Sequence, residues 1–288
     1  MPAINIKGSR LSFGAAGSGP TVVALHSSAS TGVQWNSLSE HLMNRHCVFT
    51  PDLAGYGGSD AWPGGPEASL TNEAEFVFGL IEAWEEPVHL VGHSFGGAVA
   101  LQIALSHPEW VRSLTLIEPT VFHLLRDGDE ADRQLHTTMQ SVRGVVNAAA
   151  ALGNPNAGMK HFIDFWNGEG AWENTSPRLR SHFTNQIGQV INNFAAGEAE
   201  SWSIEDCRKL TCPTMTMMGL DSPAPSQRTT EMLAETIPGA RLHMIPGAGH
   251  MVPLTDPHIV DPLISGHIRV AESTEKASQP AWHLQLAA

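Results

Sequence analysis

The stretch VHLVGHSFGGAVALQIALSHP, residues 88–108, limits the possible folds more than any other part of the chain. A short run that is apolar but for His89, Val88–Val91, enters Gly92-His93-Ser94-Phe95-Gly96-Gly97 and continues into an apolar segment of helical length, Phe95–Ser106. An apolar run without alternation is a strand buried on both faces, and a helix with no polar side is itself buried. Joining the two through one G-x-S-x-G turn holds Ser94 in a strained backbone conformation with its hydroxyl pushed out above the sheet. The glycines on either side are needed because a Cβ there meets neighbouring backbone. The helix N-terminus below offers oriented N–H groups and the positive end of a dipole to a developing oxyanion. Ser94 is therefore the candidate nucleophile.

The rest of the chain agrees with a mostly parallel sheet. Short apolar runs bounded by Gly, Pro or Asp alternate with segments of helical period, the pattern of βα units. The spacing predicts strands over Ile4–Lys7, Arg10–Ala15, Thr21–His26, Cys47–Thr50, Leu114–Glu118, Thr214–Met218 and Arg241–Ile245. Helices are expected over Val33–Met43, Leu70–Trp84, Gln227–Thr236 and His258–Arg269. The first two strands, joined near a Gly-rich turn, read as an antiparallel entrance to the sheet. Between Pro119 and Leu210 the strand signals stop. Helical segments broken by Gly, Asn and Pro carry Met159, Phe162, Phe165 and Trp166 on one face, together with Phe183, Phe194 and Trp202. The expected organisation is a core of residues 1–119 and 211–270, a helical cap of residues 120–210, and a loosely held polar tail of residues 271–288.

Composition removes several function classes. Sixteen Lys and Arg against 29 Asp and Glu give a net charge of -13, so no basic field exists to attract nucleic acid or anionic lipid. No segment approaches 18 uninterrupted apolar residues, and no basic start followed by an apolar run marks export. Three cysteines make an odd count that cannot form a fully paired disulfide framework, which points to reduced thiols and a cytoplasmic location. No HExxH or paired C-x-x-C occurs, so no metal is expected. The Gly-rich stretches fit neither a dinucleotide fingerprint nor a phosphate-binding loop, so no cofactor is expected either.

With four ordered motifs, the chain over about residues 1–270 resembles the α/β-hydrolase family. Besides the elbow, Leu25-His26-Ser27-Ser28 stands where the family has its oxyanion loop, Asp52–Asp60 looks like the loop after the next strand, and Gly247-Ala248-Gly249-His250 looks like the loop of the catalytic histidine. The resemblance implies an eight-stranded, mostly parallel α/β sheet flanked by helices, with an inserted cap. It also implies a Ser94 nucleophile with His250 as base. A histidine with a reference pKa of ~6.5 takes the serine proton and returns it near neutrality. By position the oxyanion donors are the backbone N–H groups of Ser28 and Phe95. Ser27, which stands where glycine is usual, adds a hydroxyl that either supplements the hole or ties down the loop. The pocket is expected among His26, Phe122, Phe162, Phe165, Trp166 and Met251.

Two carboxylates compete for the acid that holds the imidazole. Asp221 follows the strand Thr214–Met218, the commoner family location, but Gly219-Leu220-Asp221 is one residue short of the usual G-x-x-D and puts Ser222 in the acid's place. Glu118 ends the strand SLTLIE, where haloalkane dehalogenases and zearalenone lactonases of the same superfamily carry theirs. A carboxylate at the inner end of a central strand is costly to bury without a partner, which favours Glu118. The implied activity is hydrolysis of a carboxylic ester of a small to medium apolar substrate. Lactone opening and carbon–carbon bond hydrolysis on the same residues are alternatives, and a receptor that binds its ligand with negligible turnover is an alternative of another class. The implied partner is a small-molecule ester or lactone.

Overall fold

The computed structural model describes residues 1–61 and 69–278. Eight strands form one sheet: β1 (Ala3–Ile6), β2 (Ser9–Gly17), β3 (Thr21–Leu25), β4 (Cys47–Pro51), β5 (Val88–His93), β6 (Val111–Ile117), β7 (Thr214–Gly219) and β8 (Arg241–Ile245). Their order is β1-β2-β4-β3-β5-β6-β7-β8, with β1, β2 and β4 paired antiparallel and every later pair parallel. This is the expected eight-stranded, mostly parallel α/β sheet with an antiparallel entrance.

The central strands are mostly apolar and buried along their length because each face is covered. Along β3, Val23 and Leu25 point into one core while Val22 and Ala24 point into the other. Helices α2 (Leu70–Glu82) and α3 (Phe95–Ser106) cover the first face. Helix α1 (Asn36–Leu42) and the C-terminal helix cover the second through Leu38, Leu42, Val260, Ile264 and Ile268. Helix α3 has no solvent side: Phe95 through Ala104 are all buried. Between β3 and β5 the chain first crosses to β4 on one side and then returns to the other. That reversal opens a crevice at the carboxyl ends of β3 and β5, the place where open α/β sheets bind ligands.

Only helices lie between β6 and β7: a 3-10 turn (Phe122–Asp127), α4 (Glu130–Ala151), α5 (Pro155–Asn167), α6 (Ala171–Asn174), α7 (Pro177–Asn185), α8 (Ile187–Glu198) and a second 3-10 turn (Ile204–Lys209). Three of the α-helices start on a side chain that accepts an orphan N–H of the first turn: Asp129, Asn154 and Ser176, the last two followed by Pro at the first helical position. The sheet then resumes with β7, α9 (Ala224–Thr236), β8, α10 (Val252–Thr255) and α11 (Pro257–Ser278).

Several boundaries differ from the sequence reading. Strand β6 begins at Val111, three residues earlier than expected, since its polar Ser113 is satisfied inside the sheet by His89 Nδ1 at 2.8 Å. The largest correction concerns the tail. Residues 271–278 continue α11 rather than hanging loose, because Ala271 extends the buried stripe of Val260, Ile264 and Ile268 at helical spacing. The remainder of the expected tail, residues 279–288, lies outside the described residues. Among the described residues no helix is long and apolar enough to cross a membrane.

Candidate active site

Three strand ends bring the polar residues together. Ser94 follows β5 at φ 55° and ψ -119°, a conformation that non-glycine residues rarely hold. Neighbours over-determine it: the Ser94 N–H donates to the Ile117 carbonyl at 2.9 Å, the Gly96 N–H to the His26 carbonyl at 3.1 Å, and the Thr120 N–H to the Ser94 carbonyl at 3.1 Å. A methyl group at Gly92 would run into the Gly96 carbonyl, and one at Gly96 into the Leu25 carbonyl, so both flanking positions admit only glycine. One residue past β6, Glu118 has φ 43° and donates its N–H to the Met217 carbonyl at 3.1 Å. His250 sits on the loop after β8, between Gly249 and Met251.

Their side chains form one chain of contacts. Ser94 Oγ lies 3.0 Å from His250 Nε2, and His250 Nδ1 lies 2.6 Å from Glu118 Oε2. Glu118 accepts three further hydrogen bonds: from the Gly219 N–H at 2.8 Å and the Ser222 hydroxyl at 2.6 Å on Oε1, and from the Ser226 hydroxyl at 2.8 Å on Oε2. Burial alone raises a carboxyl pKa, but the His250 charge and these hydrogen bonds overcome it and hold Glu118 down at about 2. All three side chains are buried, with Glu118 wholly inaccessible. The Trp166 ring from α5 stacks on His250 at 4.1 Å with an interplanar angle of 28°.

Asp221 takes no part in this contact chain. It is exposed, donates its N–H to the Ala248 carbonyl, and borders a separate shallow groove. The short turn after β7 is the cause: one residue fewer faces Asp221 outward and puts the buried Ser222 hydroxyl against Glu118.

Ser28 and Phe95 line the cavity wall beside Ser94. Ser27 does not supplement them, since its N–H and hydroxyl both donate to Gln34 Oε1, at 3.1 and 2.9 Å. His26 is not a pocket residue. Its ring is fully buried within the loop, with Nδ1–H donating to the Ser27 carbonyl at 2.7 Å and Nε2 accepting from the Leu53 N–H at 2.9 Å. Burial pushes it down to about 4, so the ring is neutral and fits that donor–acceptor pattern. Phe122, Phe162, Trp166 and Met251 do line cavities that open on Ser94 or His250. Phe165 lies one position off that face, edge-on to Trp166, and borders the shallow groove with Asp221.

Several participants escape sequence reasoning. His93, at the x position of the elbow, donates from Nε2 to the His250 carbonyl at 2.8 Å, and Gln34 Nε2 donates to His93 Nδ1 at 3.0 Å. Burial, aided by the nearby His250 charge, lowers His93 to about 3 and keeps it neutral. Gln34 thus ties the loop after β3 to the loop of His250. Asn193 of α8 accepts from the Ser28 hydroxyl at 2.9 Å and the Tyr56 hydroxyl at 2.5 Å, clamping the helical insertion to the same loop. No local pattern marks any of these residues; only the fold brings them near.

Two cavities meet at Ser94. The inner one runs under the insertion between α4 and α8 and is lined by Phe122, Met139, Phe162, Val190 and Phe194 among others. The outer cleft, of about 580 Å³, is lined by His250, Met251, Leu254, Ala29 and Phe183 among others. Trp166 and Phe162 belong to both.

A family model described as alpha/beta hydrolase fold matches residues 20–257. Curated relatives include an uncharacterized protein of Mycobacterium bovis, 36% identical over 115 residues, which are 39% of this chain and 33% of that protein. The chain therefore spans only about a third of that relative's length. A pimeloyl-[acyl-carrier protein] methyl ester esterase of Chromobacterium violaceum is 28% identical over 251 residues, covering 81% of this chain and 88% of that one. Among solved structures, the enol-lactonase of Burkholderia xenovorans superposes with a TM-score of 0.76 at 19% identity, covering 93% of this chain and 100% of that one, which is a likeness of fold.

Proposed function

This chain belongs to the alpha/beta hydrolase family, its model spanning residues 20–257, and from that premise we propose that it is a serine hydrolase that cleaves carboxylic esters. The observation that carries the reading is the unbroken contact from Ser94 Oγ through His250 to the buried Glu118. On this reading His250 Nε2 takes the Ser94 proton as Oγ bonds to the ester carbonyl carbon. The carbonyl electron pair becomes an oxyanion held by the N–H groups of Ser28 and Phe95. Collapse breaks the bond to the alcohol oxygen, which leaves with the proton from His250 and gives an acyl-enzyme. Water then donates a proton to His250 and attacks the acyl carbon, and Ser94 leaves with that proton restored. Glu118 holds Nδ1–H, fixing the tautomer and stabilising the imidazolium.

On this reading the two cavities receive the two halves of the ester. The leaving oxygen has to face the acid that protonates it, and His250 borders the outer cleft but not the inner cavity. The alcohol therefore leaves outward and the acyl group lies inward, beneath the helical cap of residues 120–210. With three unpaired thiols, Cys47, Cys207 and Cys212, the protein suits a reducing compartment such as the cytoplasm.

The test is release of p-nitrophenol from acyl esters of graded length by the intact protein and by Ser94→Ala, together with labelling by a fluorophosphonate. Repeated turnover and a single label, both lost with Ser94, are expected. A folded protein that turns over no ester, or that keeps turnover without Ser94, overturns the proposal.

A further inference from the structure

The inner cavity is not apolar throughout. Alongside Phe122, Met139 and Val190 it has a charged wall made by Gln140 and Arg143 of α4 and Glu198 of α8. Glu198 is engaged through one oxygen: its Oε2 receives Gln140 Nε2 at 2.5 Å and lies 3.3 Å from His136 Nε2. Arg143 is not. Arg112, Arg126, Arg133, Arg180, Arg208 and Arg228 each lie within ion-pair distance of a carboxylate, whereas Arg143 has no ion pair, side-chain hydrogen bond or ring contact among the described residues; Arg45, Arg178 and Arg241 share that lack but are exposed to solvent. It is half-buried on the stripe of α4 that also carries Met139, Val142 and Val146.

A guanidinium stays charged at any working pH and presents a planar fork of five donors. Half-buried at the edge of a largely apolar cavity and with no acceptor among the described residues, such a group is matched by one ligand chemistry above others, a carboxylate received on two parallel N–H donors. We propose that Arg143 selects an acyl group ending in a carboxylate, so that the substrate class is the half-ester of a dicarboxylic acid. This rests on the serine-hydrolase reading for the inward placement of the acyl group. The Glu198 carboxylate on the same wall disfavours loose anions and requires the ligand carboxylate to sit on the Arg143 side.

The experiment compares kcat/KM for mono-p-nitrophenyl half-esters of succinic through suberic acid with the methyl-ended esters of equal length, and with p-nitrophenyl 6-aminohexanoate. At the chain length that fits, the carboxylate-ended ester is expected to win by about 10- to 100-fold, the worth of a charged hydrogen-bonded pair. Arg143→Gln should bring the ratio to about 1, and Arg143→Lys should retain part of it. A ratio near 1 at every length, a ratio unchanged in Arg143→Gln, or a preference for the amine-ended ester overturns the proposal. Calorimetric titration with adipate and hexanoate needs no turnover, and adipate should bind about 10-fold tighter, an advantage lost in Arg143→Gln. If that advantage is present but no ester is cleaved, the hydrolase reading falls and the anion site stands.

Discussion

Replacing Glu118 by Gln changes one oxygen to an NH₂ group and almost no volume, so it isolates the carboxylate's role from packing. In the protein all four contacts to the Glu118 carboxylate are received by it: the Gly219 N–H, two serine hydroxyls and His250 Nδ1–H. The amide has one acceptor oxygen. Since the Gly219 N–H cannot turn away, that oxygen remains at the Oε1 position, and the NH₂ falls where Oε2 stood, 2.6 Å from His250 Nδ1. There it has to donate, so Nδ1 becomes the acceptor and the ring proton moves to Nε2, facing Ser94. A ring protonated on Nε2 cannot take the serine proton. Loss of the correct tautomer in a triad lowers kcat by about 10,000-fold in the best-studied protease, so a fall of about 1,000- to 10,000-fold is expected here, or about 4–5 kcal/mol of barrier. The assay is steady-state hydrolysis of a p-nitrophenyl ester, with Asp221→Asn alongside. Asp221 is exposed and away from the ring, so that variant should stay within about two-fold of the intact protein. If Glu118→Gln keeps more than a tenth of kcat, or Asp221→Asn falls as far, the assignment of the acid is wrong.

Ser94→Gly and Ser94→Ala both remove the hydroxyl, but at φ 55° only glycine relaxes the backbone; the glycine variant should melt about 2–4 °C higher, by roughly 1 kcal/mol, in differential scanning calorimetry. Gln34→Ala leaves the Ser27 N–H, the Ser27 hydroxyl and His93 Nδ1 without their partner, and should cost about 3 kcal/mol in urea unfolding; an unchanged midpoint refutes the link between the two loops. Burial raises Glu73 to about 8, against a hydrogen bond from the Ala54 N–H that lowers it. The folded state therefore keeps a proton that the unfolded chain has released above pH 4.5, and stability from this group falls as pH rises between those values. Urea midpoints at pH 5, 7 and 9 should show Glu73→Gln gaining on the intact protein as pH rises; a constant difference refutes the shift.

Much of the fold was readable because its signals are local. Short, largely apolar runs marked β3, β5 and β7, and the elbow pointed to Ser94. The acid was harder, since the strand end at Glu118 and the loop at Asp221 were both sound positions. Pairing settles the geometry: Ile117 lies beside Met217 in the sheet, so the next residue, Glu118, meets the Gly219 N–H. That register is a property of two segments a hundred residues apart, and neither one encodes it alone. The same holds for Ser222 and Ser226, ordinary turn and helix residues until Glu118 lies between them. His26 and Ser27, polar residues beside the nucleophile, serve the loop itself: their hydrogen bonds are spent on Gln34, the Ser27 carbonyl and the Leu53 N–H. Arg143 had no sequence signal, because a charge without a partner among the described residues is defined by the neighbours it lacks.

Glu118 is the last residue before Pro119, where the polypeptide leaves the sheet for the helical insertion, and this has a consequence for how such a protein diversifies. Ser94 and Glu118 both precede the insertion and His250 follows it. Exchanging residues 121–209 by recombination at two peptide junctions would therefore transplant none of the three, but would replace Arg143, Trp166 and Asn193 together. On the proposed serine-hydrolase reading, reactivity and selectivity are inherited on separate segments of the chain, so a library of grafted insertions would sample new acyl groups without rebuilding the chemistry.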